Sequence, residues 1–435
     1  MKFQVPRGTR DILPAEAWRW QEMENSARKI FYRYNYSEIR TPIFESTDLF
    51  TRSVGESTDI VRKELYTFQD RKGRSLTLRP EGTAPVVRAY LEHSMRTPWA
   101  TRLYYIGPMF RYERPQAGRY RQFWQIGAEL LGSANPIADA EMIDLFVAII
   151  RDFGPQRVTV LLNSLGDSTC RPVYRERLQL YFAEHSEELC ADCRERLQTN
   201  PLRILDCKVE SCLPVIQRAP SVLDTLCPEC REHLSGVEGA LSAVNISYQI
   251  EPRLVRGLDY YTRTVFEVHA EGLGAQNAVG GGGRYDQLVG ELGGPPTPAI
   301  GFSIGMDRLS SISRQVTALS SDYSDQTKDP LVWIVSKVPS AAVEALSLAK
   351  SLRAEVDDHA VLIRFDLDVS ARSESSQKKS ANALQASWIV YVPASPEGLL
   401  VRSMQTGDQQ VVPRSNLASW LLKRVSAVND PQGLP

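Results

Sequence analysis

Apolar and polar positions follow two periods along this chain, and the change from one to the other divides it. Residues 15–34 place Trp18, Met23, Ala27, Ile30, Phe31 and Tyr34 at helical spacing. The period then shortens. YSEIRTPIFE reads as a strand that must stop or sit at a sheet edge at Pro42, which has no N–H for a ladder. ELYTF, SLTLRP, TRLYYIGPMFRY and RQFWQIGAELL continue as β-like runs. Asn135 followed by Pro136 predicts a helix start of the N-cap and N1 kind, with Met142, Ile143, Phe146, Val147 and Ile150 on one apolar face. RVTVLLN is another strand. Strand signals return at YQIEPRLVRG, YYTRTVFEVHA and AIGFSIG, the last running into the helical pattern MDRLSSISRQV.

Between these halves, residues 166–235 are charged, helical in period and without a strong strand. Residues 317–330 are polar and aperiodic, as a linker is. Beyond them LVWIVSKV, SAAVEALSLAKSLRAE, AVLIRFDLD, KKSANALQA and SWIVYVPA alternate strand and helix, which predicts a small, mostly parallel α/β domain. The fold class expected is α+β: an antiparallel sheet core with helices, in parts 1–165 and 236–316, a helical insertion over 166–235, the linker, and an α/β domain over 331–435.

Composition narrows the classes. With 51 Lys+Arg against 52 Asp+Glu in 435 residues, no single-sign field dominates, so any polyanionic partner must meet a local basic surface. No apolar run approaches the ~18 residues of a membrane span, and MKFQVPRGTRDILP has no apolar stretch after its charge. A cytoplasmic protein with no membrane partner is expected. All seven cysteines (Cys170, Cys190, Cys193, Cys207, Cys212, Cys227 and Cys230) fall in the insertion, giving it the look of a separate module. Their odd number reads as reduced thiols or a metal site rather than a disulfide framework.

Common catalytic motifs are missing. There is no GxxxxGK[ST] loop and no GxGxxG between a strand and a helix, and none of the five histidines sits in a nucleophile–base or metal motif. Arginine dominates instead: Arg102, Arg111, Arg114, Arg119 and Arg121 crowd a strand–loop–strand segment, and a guanidinium suits phosphate and stays charged. On the returning strand Phe123, Gln125, Gly127 and Glu129 share one face, and Trp124, Ile126, Ala128 and Leu130 the other. The second set reads as buried. The first reads as a polar floor on which Gly127 leaves room for a ligand.

FRYERPQAGRYRQFWQIGAE resembles motif 2 of class II aminoacyl-tRNA synthetases, specifically the histidyl-tRNA synthetases. YNYSEIRTPIFE resembles motif 1, with Asn35 where a glycine is usual, and IGFSIGMDRL resembles motif 3, with Arg308 as its arginine. LRPEGTAP, RGLDYYTRTVFE and GGGGRYD resemble that family's histidine-site segments. The resemblance covers nearly the whole chain. It implies a cytoplasmic homodimer with an anticodon-binding C-terminal domain. It also implies a two-step reaction: L-histidine and ATP give histidyl-adenylate and pyrophosphate, then histidine passes to the terminal adenosine of histidine tRNA.

Carried over by position, the resemblance implies that Arg111 holds the α-phosphate, Glu113 meets the adenine edge and Phe123 stacks under adenine. Arg308 covers its other face and reaches the γ-phosphate, and Arg119 contacts the adenylate region. Arg256 meets the α-phosphate beside the histidine, while Mg2+ bridges the β- and γ-phosphates. Thr83, Gln125 and Glu129 bind the α-ammonium; Glu81, Tyr261 and Tyr285 read the imidazole, with Tyr260 beside them. Arg114 and Gln116 meet the tRNA acceptor end. Lys378 and Lys379 stand before a helix, for phosphate or for water. Cys190-x2-Cys193 and Cys227-x2-Cys230 are knuckles of the kind that grip structural Zn2+, and the spacing equally fits reduced thiols. The alternative from another class is a histidine sensor, the regulatory subunit of ATP phosphoribosyltransferase. Such a sensor needs neither Arg111, Arg256 and Arg308, nor the RPQAG loop, nor a full C-terminal domain.

Overall fold

A computed structural model describes every residue except 1–2, 56–57, 114–118, 154–156, 271–277, 313–329, 339–340, 357–362, 368–371, 396–397 and 430–435. The chain forms two units, Met1–Val316 and Thr317–Pro435.

In the first unit the opening pattern becomes the helix Pro14–Arg33, with proline in its first turn and Trp18, Trp20, Met23, Ala27, Ile30 and Phe31 buried. Asn35 follows it at φ +61°, the left-handed conformation that asparagine tolerates and the usual glycine would also supply. Among the described residues eleven strands follow: β1 (Ser37–Glu38), β2 (Phe44–Ser46), β3 (Tyr66–Gln69), β4 (Ser75–Leu78), β5 (Thr101–Phe110), β6 (Gln122–Leu131), β7 (Val158–Ser164), β8 (Tyr248–Ile250), β9 (Thr262–Ala270), β10 (Ala278–Arg284) and β11 (Ala299–Gly305). The segment around Pro42 is thus two short strands flanking the proline. Eight strands form the main sheet in the order β1-β5-β6-β11-β10-β9-β7-β8, and β2-β4-β3 form a small one. Among the described residues of the main sheet only β1 with β5 and β7 with β8 run parallel.

Ile126, Ala128 and Leu130 of β6, Phe266 and Val268 of β9, and Ile300, Phe302 and Ile304 of β11 pack with Met142, Ile143 and Phe146 of the helix Pro136–Asp152. The Asn135 side chain caps that helix by accepting from the Ile137 N–H at 2.9 Å. Beneath the sheet lies a polar knot. The buried Asp139 accepts from His233 Nε2 at 2.7 Å, Thr264 Oγ1 at 2.5 Å and the guanidinium of Arg284, which is itself wholly buried. Arg284 also donates to Ser133 O at 2.8 Å and pairs with Asp286 at 3.0 Å. A buried charge is tolerated only when paired in this way.

The cysteine-bearing segment does not stand apart. Cys170, Tyr174, Leu178, Phe182, Cys193, Leu197, Cys212 and Cys230 belong to the same hydrophobic cluster as the sheet. Its two Cys-x2-Cys pairs do not converge on one site either, because each pair opens a different helix, Ala191–Thr199 and Pro228–Ala243. Cys190 and Cys193 meet Cys207 and Cys212; Cys227 and Cys230 meet Asp167 and Cys170.

In the second unit β12 (Leu331–Ser336) pairs in parallel with β13 (Arg364–Leu367) and β14 (Trp388–Ser395). The sheet is not mostly parallel throughout, as the sequence pattern suggested. β15 (Gly398–Ser403) and β16 (Gln409–Val412) extend it antiparallel, through a turn in which Gly407 takes φ +80°. The helices Ala342–Val356 and Leu417–Asn429 pack on it through Leu348, Leu352, Leu417 and Leu421. Lys378 lies inside the helix Glu374–Ala383 rather than before it, 2.5 Å from Glu374. Among the described residues no helix is long and apolar enough to cross a membrane.

Candidate active site

The face of the main sheet turned away from the helix Pro136–Asp152 carries a cavity of about 300 Å3. Its wall gathers Glu81, Thr83, Arg111, Glu113, Arg119, Phe123, Gln125, Arg256, Tyr260, Tyr261, Tyr285 and Arg308, residues spread over more than two hundred positions of sequence. Arg114 and Gln116 lie outside the described residues. Strand periodicity does the gathering, since Phe123 and Gln125 of β6 and Gly301, Ser303 and Gly305 of β11 alternate with the core residues named above.

One end is cationic. Arg111 donates through Nε to Pro80 O at 2.8 Å and lies 5.3 Å from the Phe123 ring centre, a cation–π distance. Arg119 approaches Glu113 at 3.5 Å, Arg256 pairs with Glu267 at 2.6 Å, and Arg308 donates to Ala278 O at 2.7 Å. Burial first, then the repulsion of Arg119 and Arg256, holds Arg308 below the usual arginine range. Cations crowded at that density are stabilised by a polyanion.

The other end is a set of acceptors and phenols. Glu81 accepts from the N–H groups of Thr83 at 2.6 Å and Ala84 at 2.8 Å, capping the helix Thr83–Glu92, and its burial raises its pKa. Gln125, on the cavity wall, donates to Ser303 at 3.4 Å, while its buried Oε1 has no hydrogen-bond partner. Tyr260 stands 4.8 Å from Tyr261 and 5.6 Å from Tyr285, ring centre to ring centre. Both members of the Tyr260–Tyr261 pair reach the wall, because they precede β9 and do not alternate within it. Glu129 sits one layer behind. It is wholly buried, takes hydrogen bonds from Thr83 Oγ1 at 2.8 Å and Tyr285 OH at 2.6 Å, and burial pushes its pKa up to about 8.

One glycine reading changes. The space above Gly127 is filled by Tyr105, not left for a ligand: a Cβ on Gly127 would lie 2.2 Å from the Tyr105 ring, and one on Gly82 would meet the same ring at 2.2 Å. Tyr105 therefore lies clamped between two glycines with a surface in the cavity, and the sequence reading passed it over. Its position facing Gly127 in the β5–β6 ladder was the available signal. Glycines 280–283 are the strand β10, hydrogen-bonded on both sides. A Cβ at Gly281 would come 3.1 Å from the Arg256 guanidinium, and one at Gly283 would come 2.8 Å from the Tyr261 ring. The bare strand is what lets those side chains lie down on the sheet.

An antiparallel sheet with an arginine-lined cavity on one face, built from strand–loop–strand and strand–helix segments matching motifs 2 and 3, defines a class II aminoacyl-tRNA synthetase core. A sequence profile described as Histidyl-tRNA synthetase matches residues 8–309. A histidine–tRNA ligase of Desulforamulus reducens is 48% identical over 96% of this chain and 99% of its own length. One of Desulfitobacterium hafniense is 45% identical over 98% and 99%. The crystal structure of apo histidyl-tRNA synthetase from S. aureus superposes with a TM-score of 0.73 at 36% identity, covering 96% of this chain and 99% of that one. The chain belongs to the histidyl-tRNA synthetase family and is, with it, an enzyme of the ligase class. A Bacillus halodurans structure titled as an ATP phosphoribosyltransferase regulatory subunit/histidyl-tRNA synthetase, at 21% identity and a TM-score of 0.60, shares the fold.

Proposed function

We propose that this cavity activates L-histidine with ATP and that the enzyme then charges histidine tRNA. The observation that carries the reading is one cavity holding four arginines at one end and buried acceptors with phenols at the other. In the first step a carboxylate oxygen of histidine attacks the α-phosphorus, and pyrophosphate leaves. The nucleophile is already ionised, so no general base is required; the step needs orientation and charge neutralisation. Arg111 and Arg256 meet the α-phosphate, Arg308 the γ-phosphate and Arg119 the adenylate, while Phe123 and Glu113 hold the adenine. In the second step a ribose hydroxyl of the terminal adenosine attacks the acyl carbon, and AMP leaves.

Gln125 Oε1, unpartnered, and Thr83 suit the α-ammonium, with Glu129 supporting Thr83 and Tyr285 from behind. Glu81 and the phenols of Tyr261 and Tyr285 suit the imidazole, and Tyr260 packs against both rings. A site built of such groups rejects an apolar amino acid, which would leave them unpaired. Mg2+ would supply neutralisation of the β- and γ-phosphates. Glu267 is one of four carboxylates on the wall, with Glu81, Glu113 and Asp307, and its two oxygens are engaged by Arg256 and His269 at 2.6 Å each, so phosphate oxygens would provide most of the ion's ligands.

Arg114 and Gln116 follow β5 in sequence and meet the acceptor end of tRNA, and the unit from Thr317 binds the anticodon. A homodimer accords with the exposed apolar side chains of Ile43, Phe44 and Phe68 at motif 1, and work on tRNA suits a cytoplasmic enzyme. The arginine set favours the ligase over a histidine sensor, which has no use for it. Histidine-dependent exchange of pyrophosphate into ATP, with the other amino acids as controls, tests the reading. Histidine binding without exchange would refute it.

A further inference from the structure

We infer that the helical segment 166–235 carries two separate structural zinc sites. One is a tetrathiolate of Cys190, Cys193, Cys207 and Cys212; the other joins the carboxylate of Asp167 to the thiolates of Cys170, Cys227 and Cys230. In each, the four ligand atoms lie within 4.8 Å of one another. Tetrahedral zinc, with Zn–S of about 2.3 Å and Zn–O of about 2.0 Å, sets S···S edges of about 3.8 Å and S···O edges of about 3.5 Å. Cys190 and Cys207 sulfurs are 3.9 Å apart, Cys170 and Cys230 sulfurs 3.8 Å, and Asp167 Oδ1 is 3.6 Å from the Cys170 sulfur. The Cys227 sulfur stands 3.9 Å from either Asp167 oxygen. These are metal-spanning edges and far longer than the ~2.05 Å of a disulfide.

Two further features separate these clusters from cysteines buried as small apolar groups. Peptide N–H groups are aimed at the sulfurs: Cys190 N to Cys212 Sγ at 3.2 Å, Val209 N to Cys207 Sγ at 3.4 Å and Asp167 N to Cys170 Sγ at 3.3 Å. Such donors stabilise thiolate, the form that binds metal. The two sites also share a construction. Cys190 and Cys227 each stand at the N-cap of a helix, and Cys193 and Cys230 each occupy its first turn. Arg263 then steadies Asp167 at 3.5 Å. Three or four thiolates in tetrahedral array select Zn2+, and with no open position the role is structural. The site containing Asp167 ties residues 167–170 to 227–230, the two ends of the segment; the tetrathiolate site braces its interior.

Metal analysis of the full chain, purified in reductant without chelator, is expected to give two zinc per chain. One zinc would overturn the two-site assignment, and none, with all seven thiols reacting with a thiol reagent in the native protein, would overturn both. Asp167→Ala is expected to fall to one zinc after dialysis against a chelator, and Asp167→Cys to keep two; Asp167→Ala retaining two would remove the carboxylate from the site. Replacing zinc by Co2+ in the wild-type chain needs no variant to fold. Strong tetrahedral visible bands with sulfur charge transfer at two equivalents are expected, and the faint spectrum of octahedral cobalt would refute the proposal.

Discussion

Glu129 should make histidine binding a proton-coupled event. Its carboxyl is wholly buried, held by Thr83 and Tyr285, and its pKa of about 8 leaves it mostly neutral at pH 7 in the empty site. A cationic ammonium placed at the neighbouring Thr83 and Gln125 favours the ionised form, so binding should expel close to one proton. The affinity should then rise up to about tenfold per pH unit between 6 and 8, or roughly 1.4 kcal/mol per unit. Glu129→Gln keeps the shape and an acceptor but cannot ionise. It should weaken histidine binding by about 1.5–3 kcal/mol, the worth of a charge-assisted contact. Calorimetry in buffers of different ionisation enthalpy counts the protons, and the variant subtracts the titration of the substrate's own imidazole. The same shift has a stability consequence. Because the folded pKa is raised, the neutral carboxyl's stability is complete below the ordinary carboxylate pKa and is lost as pH rises through about 8. The variant should therefore gain in Tm over wild type across that window and level off above it. Equal proton release in the two proteins would refute the reasoning.

Arg256→Ala should cut adenylate formation by orders of magnitude while leaving histidine binding largely intact, as read by pyrophosphate exchange against calorimetry. Glu81→Gln should raise the histidine KM through the loss of about 1.5–3 kcal/mol, with a smaller change for ATP. Gly127→Ala should cost about 1–3 kcal/mol by overpacking and drive Tyr105, whose ring would lie 2.2 Å from the new methyl, toward the cavity; an unchanged denaturation midpoint and KM would contradict that packing. Asp139→Ala strips one of two carboxylates from the buried Arg284, leaving Asp286, and removes the acceptor shared by His233 and Thr264; it should cost up to about 3–5 kcal/mol in a denaturant titration.

What the sequence shows well is what period and local chemistry encode. The polar and apolar faces of β6, the Asn135 cap and the left-handed turn at Asn35 are properties of a few adjacent residues. What it hides is set by neighbours distant in the chain. Four consecutive glycines carry little strand propensity, yet β10 crosses the middle of the sheet because Arg256 and Tyr261 need its bare surface. Gly127 reads as empty space until Tyr105 of the paired strand fills it. Glu129 shares a strand face with Gln125, but depth along that face is decided by Thr83 and Tyr285, so one lines the cavity and the other backs it. Cysteine spacing marks each knuckle and says nothing of which knuckle meets which partner; the helix each one opens decides that.

The helical segment also explains how an irregular stretch can present a precise surface. Residues 256–261 carry Arg256, Tyr260 and Tyr261 to the cavity before β9 begins, so no ladder holds most of that stretch. Asp259 N–H donates to Val54 O at 3.2 Å, and most of the remaining holding comes from the cysteine-bearing segment. Arg171, next to Cys170, donates to Asp259 O at 3.2 Å and Tyr261 O at 2.9 Å; Arg203 donates to Arg256 O at 3.2 Å; and Asn200 donates to Asp259 Oδ1 at 3.0 Å. Misplacing the Arg256 guanidinium by an ångström should be costly where the proposed chemistry is positioning and charge. A perturbation that loosens residues 166–235 should therefore raise the histidine KM and slow adenylate formation together, without touching a residue of the cavity wall. An insertion that served tRNA alone would leave pyrophosphate exchange unchanged.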